Sequence, residues 1–517
     1  MLHYWFSRDA SMSWSERNNR WNVVVAVAVS LVLTYYYLWL LTAGTWGPLN
    51  LTTNYYDLLC EGFRRGHLYI PIAPRPELLA AKNPYDVKHM SLWVWDASLY
   101  NRHYYIYWGP FPALCLWAYK ALTGVTHEVI DQWPGYFFAL GRLYAGAALI
   151  VLFANRAHTR QLPWVVALAT LAFGLASPTP FTIARMHVYE TSLMAGQCFL
   201  VGGMLAAFSG LIREKRRMLS FVIASTCFGF AVGSHVSTIV ASPLIILLTA
   251  FFVWYRNGRS LPLAFRSLVA LGTPAACLVL AHCWYNYARF GSPFDFGITH
   301  QVTGQPFVSE SKYIFANVFS YLFADVNWSC RFPFVIAPTY RPLSTLIRWP
   351  SGYATFERAA GMFPTAAVTW LLALWIWRPL AHAWRRVRAR TSHVAPRISS
   401  IEVWMLLCAA ANALDMYPTL GQWEASMRYL GDAISGLLIV SLLAGFWLLR
   451  IADTEGTLRQ RIWAHVGFAA LALHTCFVGA FSGMVTYSDL WQQSNPKMFK
   501  AMQKELSLCS DAPKGWP

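Results

Sequence analysis

What this 517-residue chain has least of is charge: 13% of its residues are Asp, Glu, Lys or Arg. Soluble globular proteins carry about 25%. That shortage excludes an ordinary water-solvated domain. The 10 cysteines show no CxxC and no Cys/His spacing suited to a metal, so a zinc-finger type of site is excluded. Cys198, Cys227, Cys277 and Cys408 lie in apolar segments, where cysteine behaves as a small hydrophobe. Cys60, Cys330 and Cys509 fall in loops, and their spacing does not pair them. No cleavable leader is visible. The first apolar run, 21–43, is too long for a signal core and reads as a retained helix. No internal repeat stands out, which counts against the matched halves of many transporters.

What is present is apolar and aromatic. Hydrophobic residues make up 56% of the chain, aromatics 16%, with 25 Trp. Indole rings suit membrane–water interfaces. A span needs ~20 apolar residues, and about eleven stretches qualify. They are 21–43, 134–154, 161–178, 190–212, 218–234, 236–255, 263–284, 363–380, 401–416, 431–449 and 462–483.

The net charge of +17 raises nucleic acid as a partner, but its placement argues against that. Arg156/Arg160, Arg213/Lys215/Arg216/Arg217, Arg256/Arg259, Arg385/Arg386/Arg388/Arg390 and Arg459/Arg461 sit directly beside apolar segments. Counted through the spans, all share one side with Arg8, Arg17 and Arg20 near the N-terminus. That side is expected to be cytoplasmic, and some of the excess suits anionic lipid head groups. The count works only if 110–123, a short segment with two prolines and Lys120, lies on the membrane surface as a juxtamembrane helix. The opposite side then carries the long loops: 44–133, 179–189, 285–362 and a tail at 484–517. Long irregular loops are often where function sits. The expected fold is an all-α polytopic membrane protein of about eleven spans, with juxtamembrane helices in the long first outer loop. Residues 1–484 would form the transmembrane domain and 485–517 an outer tail.

Candidate chemistry follows these loops. Tyr55, Leu58, Leu59 and Phe63 recur at helical spacing, so 54–68 predicts an amphipathic helix. Asp57 and Glu61 share its polar face, as a general-base site or a solvated surface. Asp96, Arg102 and His103 are embedded among Trp93, Trp95, Tyr100, Tyr104, Tyr105, Tyr107 and Trp108. Rings with a few polar groups suit a sugar, whose CH faces stack on them, and equally an interfacial aromatic belt. Arg185, His187 and Glu190 stand at the mouth of a span; Glu190 reads as a dipole partner of the helix or as a site residue. His235 occupies a tight outer turn, as a plain turn residue or a phosphate contact. Arg289 and Asp295 lie just above the membrane, followed by Arg331, Arg341, Arg348 and Arg358. Arginine suits bidentate phosphate recognition, and snorkelling is the alternative. Arg428 and Asp432 are expected to form a local ion pair or to face the site.

Together these segments resemble a family. Tyr55-Tyr56-Asp57-Leu58-Leu59, Trp95-Asp96-Ala97-Ser98-Leu99-Tyr100-Asn101, Tyr104-Tyr105-Ile106-Tyr107-Trp108-Gly109-Pro110, Arg289-Phe290-Gly291-Ser292-Pro293 and Arg428-Tyr429-Leu430-Gly431-Asp432 look like bacterial GT-C glycosyltransferases. Among these they are most similar to the protein O-mannosyltransferase-like group, glycosyltransferase family 39. The resemblance implies inverting transfer of a sugar from a polyprenyl-phosphate donor to a glycan, lipid or protein acceptor. It implies a multi-pass protein of the bacterial inner membrane, with its N-terminus in the cytoplasm and its active site on the outer face. An acid of the first outer loop would be the base, here Asp57 or Asp96, and Glu190 matches a second-loop acid. Where relatives carry a basic phosphate contact this chain has Tyr107-Trp108-Gly109-Pro110, with His103 or Arg102 the expected substitute, and His235 stands where they carry Lys or Arg. Tyr105, Tyr107, Arg185, His187, Arg289 and Arg428 complete the expected substrate contacts. No ligand cluster marks a metal, so a requirement for a divalent cation stays open. The alternative is a polytopic lipid or solute transporter, which needs polar groups along a path through the bilayer midplane.

Overall fold

The structure is a computed structural model. It describes residues 14–49, 52–156, 160–304, 308–339, 349–355, 357–377, 400–486 and 490–510. Arg341, Arg348 and the basic run at 385–390 lie outside the described residues.

Eight helices among the described residues are long and apolar enough to cross a membrane. They are α1 (Trp14–Leu41), α4 (Gln132–Ala154), α6 (Val188–Ile212), α7 (Arg217–Ser234), α8 (Ala241–Arg256), α9 (Leu261–Phe290), α12 (Met427–Glu455) and α13 (Leu458–Ser482). Three shorter apolar helices fall where the remaining spans were expected: α5 (Pro163–Leu175), α10 (Ala367–Trp377) and α11 (Ser400–Leu414).

These short helices also run across the bundle, as their partners show. Before α5, Asn22 near the start of α1 donates to the Gln161 carbonyl. At its far end the Gly174 carbonyl accepts from Tyr37, near the other end of α1. Fifteen residues of α1 separate those two levels, about 23 Å of helix. Likewise Trp404 of α11 donates to Thr249 of α8, while Asp415 accepts from the Ala241 amide where α8 begins. In α10 the Val368 amide meets Thr475 of α13, and Trp375 packs edge-on against Trp447 of α12. Among the described residues eleven apolar helices therefore pack in the bundle, the number that the hydropathy pattern implies. The faces turned away from the bundle stay apolar, with Leu31, Leu247, Phe265 and Leu280 exposed, as hydrocarbon requires.

The juxtamembrane helices predicted in the first long loop are α2 (Tyr55–Arg64) and α3 (Phe111–Thr123). α3 opens with Pro112 in its first turn and stops at Gly124, whose φ of 72° provides a left-handed terminus. α2 packs against α3, and Tyr56, Leu59 and Cys60 are buried. It is thus tucked inside the loop domain rather than spread on a lipid surface. Asn54 gives α2 no side-chain cap. Asp131 caps it instead, accepting from the Tyr55 amide at 2.9 Å, the Tyr56 amide at 3.0 Å and the Thr53 hydroxyl at 2.6 Å. Between α2 and α3 lies a hairpin, β1 (Ser98–Tyr100) with β2 (His103–Tyr105). Its turn residues, Asn101 and Arg102, both have positive φ, the backbone that matches strand twist in a two-residue turn. Cys330 of the third loop forms a disulfide with Cys509, just past α14 (Pro496–Leu506).

Candidate functional site

The long loops and the loop-side ends of α6, α7, α9 and α12 enclose a cavity of about 360 Å³. The first loop contributes Asp96, Tyr107, Trp108 and Gly109, and the third contributes Gln301 and Glu357. The helices and their turns add Tyr189, Ser192, His235, Ser237, His282, Arg428, Tyr429 and Asp432. The lining is aromatic on several sides with polar groups between, as expected of a site for a polyhydroxylated ligand.

Asp96 is held by the backbone. Its φ of 61° places it in the left-handed region, which β-carbon residues seldom occupy and which clusters at functional sites. Its amide donates to the Val302 carbonyl at 3.1 Å, and the Val302 amide returns to Ala97 at 2.8 Å. Gln301 donates to Asp96 Oδ1 at 3.0 Å. Tyr55 of α2 bonds the neighbouring Trp95 carbonyl. First and third loops are thereby stitched together at the carboxylate. Burial raises the Asp96 carboxyl above the ordinary range, against the pull of the Arg428 and Arg185 cations, and the Glu190 carboxylate adds to the rise.

The opposite wall is ordered by His235. Its Nδ1 is 2.8 Å from Ser192 Oγ and its Nε2 is 2.9 Å from Asp432 Oδ1. Ser237 donates to the same carboxylate oxygen at 2.9 Å, while Asp432 Oδ2 has no hydrogen-bond partner among the described residues. Arg428 Nη2 lies 2.5 Å from Glu357 Oε1, and its guanidinium lies over the rings of Tyr189 and Tyr429. Arg428 and Asp432 therefore do not pair with each other: each takes a partner distant in sequence.

The two walls meet at two glycines. A Cβ on Gly109 would stand 1.9 Å from the Gly233 carbonyl oxygen. A Cβ on Gly233 would stand 2.0 Å from the Phe111 ring. Only a bare backbone allows this approach of the first loop to the end of α7.

The expected residues divide cleanly. Asp96, Tyr107, His235 and Arg428 line the cavity. Glu190 and Arg185 stand behind them within electrostatic reach of Asp96, 3.8 Å from each other. Glu190 also accepts from the His187 amide at 3.3 Å, and His187 is the N-cap of α6. The other candidates lie elsewhere. Asp57 forms an inward ion pair with Lys120 of α3, and both side chains are nearly buried. Arg102 is exposed at the hairpin turn, and His103 stacks on Tyr69 at 4.0 Å. Tyr105 packs on Phe290. Arg289 is buried, donating to the Ile106 carbonyl at 2.7 Å and to Asn286 at 2.8 Å, so it clamps α9 to the first loop. Glu357, Gln301, Ser192, Ser237 and His282 carried no signal of their own in the sequence. Tyr189 and Tyr429 stood beside residues that were singled out, and Asp432 was itself named, as an ion-pair partner of Arg428 or a site residue. No group of three or more His, Cys, Asp or Glu placed to hold a metal occurs among the described residues.

No family model matches the sequence, and no curated protein matches it. Solved structures do. The Archaeoglobus fulgidus oligosaccharyltransferase in the apo form is similar at 14% identity over 94% of this chain, with a TM-score of 0.48. The chain spans 60% of the length of that protein. ArnT from Cupriavidus metallidurans, bound to undecaprenyl phosphate, is similar at 14% identity over 91% of this chain and 77% of its own, with a TM-score of 0.43. The archaeal oligosaccharyltransferase AglB in complex with an inhibitory peptide and a dolichol-phosphate shows 15% identity over 97% of this chain and 61% of its own, with a TM-score of 0.44.

Proposed function

We propose that this chain is an inverting glycosyltransferase that moves a sugar from a polyprenyl-phosphate donor to an acceptor hydroxyl at the outer membrane face. The observation that carries the reading is Asp96: a carboxylate fixed in a left-handed backbone, at the edge of an aromatic-walled cavity, facing a histidine and an arginine. In the reaction Asp96 accepts the acceptor hydroxyl's proton. The acceptor oxygen attacks the anomeric carbon from the face opposite the phosphate. The bond from that carbon to the phosphate oxygen breaks, and the lipid phosphate departs with the electron pair. His235 and Arg428 offset the negative charge that builds there. Tyr107, Tyr189 and Tyr429 stack on the sugar, and Asp432 Oδ2 takes a sugar hydroxyl. Glu190 acts through Arg185 and the Asp96 environment.

The outer placement draws support from two ends of the molecule. The loop end carries the Cys330–Cys509 disulfide, which suits an oxidising compartment. The opposite end carries the basic turns. A transporter reading is less well supported, because the carboxylates and rings gather at one end of the bundle rather than along a path through it. The test is transfer from radiolabelled polyprenyl-phosphate sugars by the purified protein. Loss of transfer in Asp96→Asn with unchanged folding supports the assignment, and full transfer by that variant overturns it.

A further inference from the structure

At the end of the bundle opposite the cavity, residues 213–217 turn the chain from α6 into α7. Four of the five are cations, Arg213, Lys215, Arg216 and Arg217, and Glu214 is the lone acid. Glu214 to Leu219 and Leu263 of α9 line a second cavity, of about 310 Å³. Arg217 is engaged locally: Nη2 lies 3.3 Å from Glu214, and Nε donates to the Gly210 carbonyl at 3.2 Å. Lys215 and Arg216 are exposed and make no ion pair among the described residues. Arg256 reaches the Leu211 carbonyl at 3.4 Å, which brings the α8–α9 turn, with Arg259, to the same corner. Arg266 follows Leu263 by one helical turn and shares its face.

The wall beneath this rim is apolar. Met218, Leu219 and Leu263 form it. Leu219 is 58% exposed. Such side chains on a spanning helix face hydrocarbon. The cavity therefore has cations at head-group depth and aliphatic carbons directly below. The first amides of α7 are also left without a side-chain cap at Arg216, and the positive end of that helix faces the same rim.

We propose that this corner is a binding site for one anionic phospholipid, its phosphate between Lys215 and Arg216 and its acyl chain along Leu219 and Leu263. The apolar wall selects a lipid over a soluble phosphate ester, since a free anion gains nothing from it. The site is independent of the chemistry at the other end of the bundle.

Native mass spectrometry of the full-length protein tests this, with phosphatidylglycerol, phosphatidylcholine and inorganic phosphate as probes. Wild-type protein is expected to retain one phosphatidylglycerol in preference to phosphatidylcholine. The double variant Lys215→Gln/Arg216→Gln is expected to bind it about 30-fold more weakly, from two lost surface charges. The charge-preserving swap Lys215→Arg/Arg216→Lys keeps the retention and serves as the folding control. Equal retention of both lipids overturns the proposal, as does a double variant that binds like wild type. Competition by inorganic phosphate at millimolar concentration would make the site one for a soluble anion and overturn the lipid assignment.

Discussion

Two aspartates of the first loop have opposite fates, and each fate has a measurable signature. Asp96→Asn is expected to lower the transfer rate by about 10²–10⁴-fold, the usual weight of a general base, with the melting temperature unchanged. Asp57→Asn is expected to do the reverse. It leaves Lys120 with the His127 carbonyl as its acceptor, which costs about 1.5–3 kcal/mol of stability, the worth of a hydrogen bond to a charged group, while turnover per folded molecule persists. The double variant Asp57→Asn/Lys120→Met should regain part of that melting temperature. The pH profile follows from the environment of Asp96. The base must be ionised, and burial raises its carboxyl above the ordinary range. The acid limb of kcat/KM should therefore lie above that of an exposed aspartate. Arg428 opposes the rise, so Arg428→Gln should move the limb to still higher pH, read from kcat/KM between pH 4 and 8. The choice between the two aspartates was not legible in the chain. Spacing places Asp57 on the polar face of a helix, but its partner arrives from another helix. The Asp96 backbone bonds come from Val302, and nothing near Asp96 in sequence announces them. The same holds for Arg428, whose neighbour one turn on is Asp432 but whose partner is Glu357.

At the scale of elements, the spans were readable because hydrocarbon leaves the chain little choice: backbone groups must pair within a helix, and the apolar run reports it. Segment 110–123 was readable for the complementary reason, since counting it as a span would scatter the basic turns. How the first loop docks was not readable, because docking depends on small residues that carry no chemical signal. Gly109 and Gly233 are the case in point. Gly109→Ala is expected to lower both melting temperature and transfer, because the new Cβ meets a backbone carbonyl that cannot step aside. Gly272→Ala is the matched control. Nothing lies within 4 Å of a Cβ at that position, and a mid-helix alanine should stabilise by about 0.5–1 kcal/mol. Asp131 is a second docking device with the same lesson. It caps a helix that begins 76 residues earlier in sequence, and burial raises its carboxyl to about 6. A carboxyl raised on folding contributes stability below its ordinary pKa, and that contribution is lost as pH rises through about 6. Asp131→Ala should lower the melting temperature of the whole loop domain by removing three hydrogen bonds at once.

The whole molecule has a parity that can be tested. Eleven crossings put the two termini on opposite sides, whereas the eight long helices alone would put them on the same side. The hydropathy pattern favours eleven, and α5, whose ends meet Asn22 and Tyr37 of α1, supports it. The Cys330–Cys509 disulfide agrees, since it ties the segment after α14 to the third loop at the cavity end. With the free cysteines replaced by alanine, a membrane-impermeant maleimide should label Cys330 and Cys509 from outside intact cells once the disulfide is reduced. Cysteines introduced one at a time by Arg17→Cys and by Lys215→Cys, in a background lacking all others, should each label only after the membrane is opened. Labelling of position 215 from outside would invert the protein. The cavity, Asp96 included, would then face the cytoplasm, and the proposed outer-face transfer would fall even if every residue role in the cavity stood. Labelling of position 17 from outside, with position 215 still protected, would instead leave an odd number of crossings between them and break the agreement among the basic turns. The two failures read out differently, so one set of cysteines separates an error of orientation from an error of span count.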